Sequence, residues 1–138
     1  MSVRIKIVTA IYVFVLAGII FLADLRGTSY FTFVELLPLG DKIGHFCLMG
    51  MFAFLVNLTF NAKTLKFWKF KYLLGSLIVL VIVTLEEFSQ IFIRGRTFDL
   101  KDLIFDYAGI FIFGETARYI CQKLSTNGNI YRKAPKVY

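Results

Sequence analysis

Thr84-Leu85-Glu86-Glu87-Phe88-Ser89-Gln90-Ile91-Phe92-Ile93 closes an apolar run that begins near Tyr72, and it puts two adjacent carboxylates where a membrane helix should carry none. A charge near the bilayer centre costs at least ~2.5–3.5 kcal/mol on the most lenient insertion scales. Two side by side will not persist against lipid, so they must face a protein interior or a wet cavity. Glu86 and Gln90 are four apart and share a helix face, with Glu87 about 100° round from Glu86. A rotation of that size exchanges the two glutamates, so the spacing leaves open which one points inward.

The composition agrees with a membrane setting. Of 138 residues, 58% are hydrophobic and only 18% charged, and the mean hydropathy is +0.71, well above an ordinary soluble domain. The net charge of +7 does not indicate nucleic acid, because no basic stripe interleaves with exposed aromatics in a polar segment. The positive charge follows the loops instead. Cys47 and Cys121 fall near opposite faces of the expected bilayer, too far apart to bridge, and no CxxC pair occurs.

Outward from the central stretch, four spans are expected. After a basic head with Arg4 and Lys6, residues 7–23 form an apolar run longer than a signal peptide's core and without a convincing cleavage site, so an uncleaved helix is expected there. Tyr30-Phe31-Thr32-Phe33-Val34-Glu35-Leu36-Leu37 is too short to span and reads as an interfacial segment between helices one and two, with Pro38 and Gly40 turning the chain back. Residues 43–60 form the second span. Residues 61–71 form a basic aromatic loop whose Phe67, Trp68 and Phe70 suit headgroup depth. Residues 72–93 and 103–121 form the third and fourth spans, and 122–138 a polar basic tail without periodicity. The fold class is therefore all-α: one domain, an integral membrane four-helix bundle, multi-pass.

Orientation follows from Lys and Arg. With both termini cytoplasmic, the inner segments carry eleven: two in the head, four from Lys63 to Lys71, and five from Arg118 to Lys136. The outer segments carry five: Arg26, Lys42, Arg94, Arg96 and Lys101. Eight of the nine acidic residues then lie outward, and the ninth, Glu115, can pair with Arg118 one turn on.

Ionisable groups recur at helical spacing at the outer ends of three helices. Asp41 and His45 are four apart, as are Glu86 and Gln90, and Asp102 and Asp106; Asp99 stands three before Asp102. Glu87 lies roughly 9 Å below the interface at 1.5 Å per residue. Lys42, Arg94, Arg96 and Lys101 are the nearby cations, while Gly44, Gly109 and Gly114 offer close helix approach. Such groups can be packing glue, each carboxylate paired with a cation. Three chemistries also suit them. Glu86, Glu87, Asp102 and Asp106 could hold a divalent cation that bridges to a phosphate. Arg94 and Arg96 could clamp a phosphate or carboxylate. A buried glutamate, or His45 oriented by Asp41, could move a proton; the catalytic candidates are Glu86, Glu87, His45 and Asp102. The residues leave enzyme and binding protein both open.

The ordered set Asp41-Lys42-Ile43-Gly44-His45-Phe46, Glu86-Glu87-Phe88-Ser89-Gln90-Ile91-Phe92, Arg94-Gly95-Arg96-Thr97-Phe98-Asp99-Leu100-Lys101-Asp102 and Asp106-Tyr107-Ala108-Gly109 resembles the VanZ-like family of small bacterial membrane proteins. The resemblance spans about residues 41 to 114. Two positions depart from it: Met49 stands where the family often has tyrosine, and Asp106 where it usually has asparagine. The resemblance implies a bacterial cytoplasmic-membrane protein of the cell envelope, whose ligand-binding residues are Asp41, Lys42, His45, Glu86, Glu87, Gln90, Arg94, Arg96, Asp99, Asp102 and Asp106. It implies an outward pocket that binds or modifies an anionic lipid-linked ligand, with lowered susceptibility to the lipoglycopeptide teicoplanin as the family's named phenotype. Membrane lipids, a lipid-linked wall precursor or a lipoglycopeptide are the partners expected, and a divalent cation the cofactor such a pocket could use. The alternatives are a metal-assisted phosphoryl or acyl transferase on a lipid head group, and a structural or accessory membrane subunit.

Overall fold

Uninterrupted apolar stretches of about twenty residues have one stable form in lipid, the helix, which satisfies every backbone group internally. The computed structural model follows that rule over the residues it describes, 3–26, 39–93 and 98–133. The interfacial segment expected at 30–37 lies outside them. Four α-helices are present among the described residues: α1 (Val3–Arg26), α2 (Gly40–Thr59), α3 (Leu74–Ser89), prolonged by a 3-10 turn over Gln90–Phe92, and α4 (Leu100–Lys133). Three helical stretches are long and apolar enough to cross a membrane: Val3–Leu22, Gly40–Thr59 and Leu74–Phe92. α4 is not among them; within the expected span its N-terminal part carries Asp106 and its C-terminal part Glu115 and Arg118.

α2 is the hub. α1, α3 and α4 all pack on it, and its contact with α4 is the most extensive in the molecule. Small residues permit that approach. A Cβ on Gly109 would strike the carbonyl oxygen of Phe46 and come within 3.2 Å of the Gly50 nitrogen, so here the two backbones touch. A Cβ on Gly114 would instead strike a side-chain atom, Ser76 Oγ, whereas one on Gly44 would meet nothing within 4 Å, so Gly44 is no packing site. Around these contacts Met49, Phe52, Ala53 and Val56 of α2 mesh with Val79 and Val83 of α3 and with Leu103 and Ile110 of α4; Leu16 brings in α1. The polarity is inverted relative to a water-soluble protein. Phe14, Leu85, Phe92 and Phe111 are exposed, while Asn57, Glu87 and Asp106 are buried.

Several element boundaries differ from those the sequence suggests. α2 begins at Gly40 rather than 43, which places Asp41 in its first turn, where a carboxylate is favoured by the helix dipole. Residues 61–71 are not a loop. β1 (Thr64–Phe67) and β2 (Phe70–Leu73) pair antiparallel, with Lys66 opposite Lys71 and a two-residue turn, Trp68-Lys69. The third helix consequently starts at Leu74 instead of 72, its first amide bonded to Lys63 O at 2.9 Å. α4 starts at Leu100 instead of 103, because Asp99 caps it: the Lys101 N–H donates to Asp99 Oδ1 at 2.8 Å. α4 then runs to Lys133, so the stretch expected to be an aperiodic tail from 122 is helical over most of its length.

The charges separate along the molecule. Thr9 of α1 meets Thr59 of α2 at 2.9 Å, which puts Arg4 and Lys6 at the end of α2 that carries the hairpin lysines. Glu115 and Arg118 of α4 form an ion pair towards that same end. No acidic residue occurs between Asn61 and Leu85. Asp41 lies at the opposite end of α2, about 27 Å away at 1.5 Å per residue.

Candidate functional site

At the acidic end each helix contributes through its own local chemistry. The first two turns of α2 supply Asp41, Lys42 and His45. The last turns of α3 supply Glu86, Glu87 and Gln90. The cap and first two turns of α4 supply Asp99, Asp102 and Asp106. The rotation left open between the two glutamates is decided by packing: Glu87 is completely buried, and Glu86 is only half-buried.

Glu87 is held by two donors. Its Oε1 accepts the backbone N–H of Asp99 at 2.9 Å, and its Oε2 accepts Gln90 Nε2 at 3.0 Å. Gln90 also reaches Glu86 Oε1 at 3.1 Å, so the amide spans both carboxylates. The 3-10 turn at Gln90–Phe92 tightens the chain below this point, and Phe98 stacks on Phe88 with ring centroids 5.3 Å apart. Together these contacts carry the backbone of Asp99 back over Glu87.

Lys42 is the cation of the cluster. Its ammonium bonds Asp99 Oδ2 at 2.9 Å, Asp41 Oδ2 at 3.1 Å, and Asp102 Oδ1 in a close contact. Asp99 therefore serves three elements: its N–H goes to α3, one carboxylate oxygen caps α4, and the other meets α2. Lys42, and after it the Lys101 amide, holds the exposed Asp99 carboxyl below the usual aspartate range. His45 is nearest to Asp106, with Nδ1 at 3.1 Å from Oδ1, rather than to the Asp41 expected to orient it, which lies 3.9 Å from Nε2. One turn further along α4 from Leu103, the Tyr107 hydroxyl bonds Thr84 Oγ1 at 2.7 Å, a link between α3 and α4 that no spacing rule indicated. Met49, where the resemblance expects a hydroxyl, is buried in the core.

The structure thus brings together Asp41, Lys42, His45, Glu86, Glu87, Gln90, Asp99, Asp102 and Asp106. Arg94 and Arg96 lie outside the described residues. The cation set expected from the sequence does not converge as one group, since both oxygens of Glu87 are already engaged. Among the described residues the ligand atoms that do converge are those of Asp41, His45 and Asp102, all within 4.8 Å of one another. Lys42 already bonds both of those aspartates, so a metal ion entering there would displace an ammonium. Asp99 is the residue whose structural weight the sequence reading underrated. The signal was available, an Asp-x-x-Asp run immediately before an apolar helix.

Lys42 gives a pH-dependent prediction. Because it favours the ionised form of Asp99, that stabilisation is complete above the ordinary aspartate pKa of ~3.9 and is lost as pH falls through the depressed folded value. Lys42→Met should lower stability at neutral pH, by less than the loss of a fully buried pair because Asp41 and Asp99 are well exposed. In thermal unfolding of the detergent-solubilised protein, the gap between wild type and variant should narrow as pH drops below about 4. A gap that stays constant with pH would show that Lys42 does not act through these carboxylates.

Comparison of the chain with models of known protein families, with curated proteins and with solved structures finds no match.

Proposed function

We propose that this chain is a VanZ-like protein of the bacterial cytoplasmic membrane, with four helices, both ends in the cytoplasm, and the acidic end facing outward to bind an anionic lipid-linked ligand. The observation that carries this reading is Glu87: a completely buried carboxylate, built into apolar helices and held in place by Gln90 and the Asp99 amide. A buried ionisable group of this kind weakens a fold relative to a packed apolar residue, so it marks a working site unless it serves packing alone. The separation of charge supports the orientation, because the basic end belongs in the cytoplasm. α4 joins the span in this reading: its polar residues Asp102 and Asp106 are turned inward, and Ile104, Phe111 and Ile112 are exposed to the hydrocarbon.

Since Lys42 is fully occupied by aspartates, the ligand's phosphate or carboxylate would be met by Arg96 and Arg94, which directly follow α3 in the chain. A second reading, a metal-assisted phosphoryl or acyl transferase on a lipid head group, is favoured by the convergence of Asp41, His45 and Asp102.

Teicoplanin susceptibility of a sensitive Gram-positive host tests the proposal, with membrane levels of the protein verified. Protection by the wild type should be lost in Glu86→Gln/Glu87→Gln and in Asp102→Asn. Protection by all of them would leave the phenotype and remove this site. No protection by any would remove the family function, and variants that lose only thermal stability would indicate an accessory, structural role. The transferase reading requires in addition that chelation abolishes turnover of a lipid substrate.

A further inference from the structure

The hairpin at the other end of the molecule carries features the outward pocket does not explain. Lys66 and Lys71 are directly opposite one another in the antiparallel pair, so their side chains leave the same face. Like charges in that arrangement repel and destabilise the pair unless something negative sits between them. Leu65 and Tyr72 form the neighbouring cross-strand pair and point to the opposite face. With Lys66 and Leu77 of α3 they line an apolar groove in which Lys66 is the only charge. The turn places Trp68 at φ 54°, a left-handed conformation that glycine or asparagine usually takes and that a bulky side chain adopts only with strain. The result is an indole 82% exposed at the hairpin tip, beside Phe70 at 64%. Exposed aromatics of this kind are stable where one end of the ring is apolar and the other wet, as at a membrane interface.

We infer that the Thr64–Leu73 hairpin is a binding site for an anionic phospholipid, whose phosphate is held between Lys66 and Lys71 while the exposed rings of Trp68 and Phe70 rest among the neighbouring lipids. The charge pattern selects the ligand. Four lysines lie between Asn61 and Leu73 with no carboxylate among them, and a phosphate between Lys66 and Lys71 relieves the repulsion that the strand register imposes. A lysine close to an anionic leaflet strengthens attachment about fivefold, and salt screens the effect. The site depends on the chain residing in a membrane and not on the reading of the acidic end, so either can fail alone.

Trp68 is the sole tryptophan, so fluorescence excited at the red edge, where the seven tyrosines do not absorb, reports this hairpin. The full chain would be reconstituted into vesicles of phosphatidylcholine and phosphatidylglycerol, with bromine on the acyl chains of one lipid or the other. At equal mole fraction, brominated phosphatidylglycerol should quench Trp68 as though enriched about fivefold or more at the hairpin. That preference should fall as salt is raised. Lys66→Ser/Lys71→Ser should erase it while both lipids still quench, and Lys101→Ser, at the opposite end, should leave it intact. Equal quenching by the two lipids in the wild type would overturn the inference. So would a preference that survives the double substitution or is indifferent to salt; the wild-type salt series stands even if the double variant does not fold.

Discussion

Gly109→Ala is expected to disrupt the fold, while the same substitution at Gly44 is harmless. The added methyl at position 109 would collide with the carbonyl oxygen of Phe46 and crowd the nitrogen of Gly50, all of it backbone on the facing helix. A flexible side chain could swing away; a helix cannot. Ordinary overpacking costs ~1–3 kcal/mol, and this site should exceed that because α2 and α4 must separate along their most extensive contact. Set against a total stability of ~5–15 kcal/mol, the loss removes a large share. At Gly44 a methyl meets nothing within 4 Å, and the gain in helix propensity is up to ~1 kcal/mol. Thermal unfolding in mild detergent separates the two cases: a sharp drop for Gly109→Ala and no drop for Gly44→Ala. Equal behaviour would mean that α2 and α4 do not touch here.

Glu87 should divide sharply by the residue that replaces it. Glu87→Ala removes the acceptor of the Asp99 N–H and of Gln90 Nε2, and Gln90 is itself buried. Each stranded donor costs about 1–3 kcal/mol, and the lost volume adds to this, for a total of roughly 4 kcal/mol. Glu87→Gln keeps the shape and one carbonyl oxygen for the Asp99 amide, and the Gln90 amide can turn to accept from the new NH2. It should fold with a loss of about 1 kcal/mol while ligand binding at the acidic end disappears. Circular dichroism melts of both variants, read beside the susceptibility assay, test this. If the glutamine variant melted as early as the alanine variant, the negative charge itself would be holding the fold, and the case for a working site would weaken.

What the sequence made legible was the chemistry that lipid forbids. A carboxylate pair inside an apolar run can survive only by facing other helices, and that argument led to Glu86, Glu87 and the polar groups at the starts of α2 and α4 before any coordinates. The Glu115–Arg118 pair was readable for a similar local reason. The hairpin was not, because its turn is Trp68-Lys69 and lacks the glycine or asparagine that announces a two-residue connection. Nor was the length of α4: beyond Cys121 the chain offers Ser125, Thr126, Asn127 and Gly128, all weak helix formers, and no apolar period to follow. The partner of His45 was also beyond reach. Asp41 is closer in sequence, but only the approach of two backbones at Gly109 brings Asp106 against the ring.

The helix that precedes the other three in the chain is the one least attached to them. α1 touches α2 through Thr9, Tyr12 and Leu16, and most of its apolar surface faces outward. Thr9 also lies 2.9 Å from the Ile5 carbonyl, so α1 can rest alone in lipid with its hydroxyl satisfied before any partner exists. α2 is less self-sufficient: Lys42 meets Asp41 within the same turn, but its bonds to Asp99 and Asp102, and the contact of His45 with Asp106, form only when α4 is present. On the proposed membrane topology, then, α1 can enter lipid singly, whereas α2, α3 and α4 satisfy their polar groups together, with α1 docking onto the finished group.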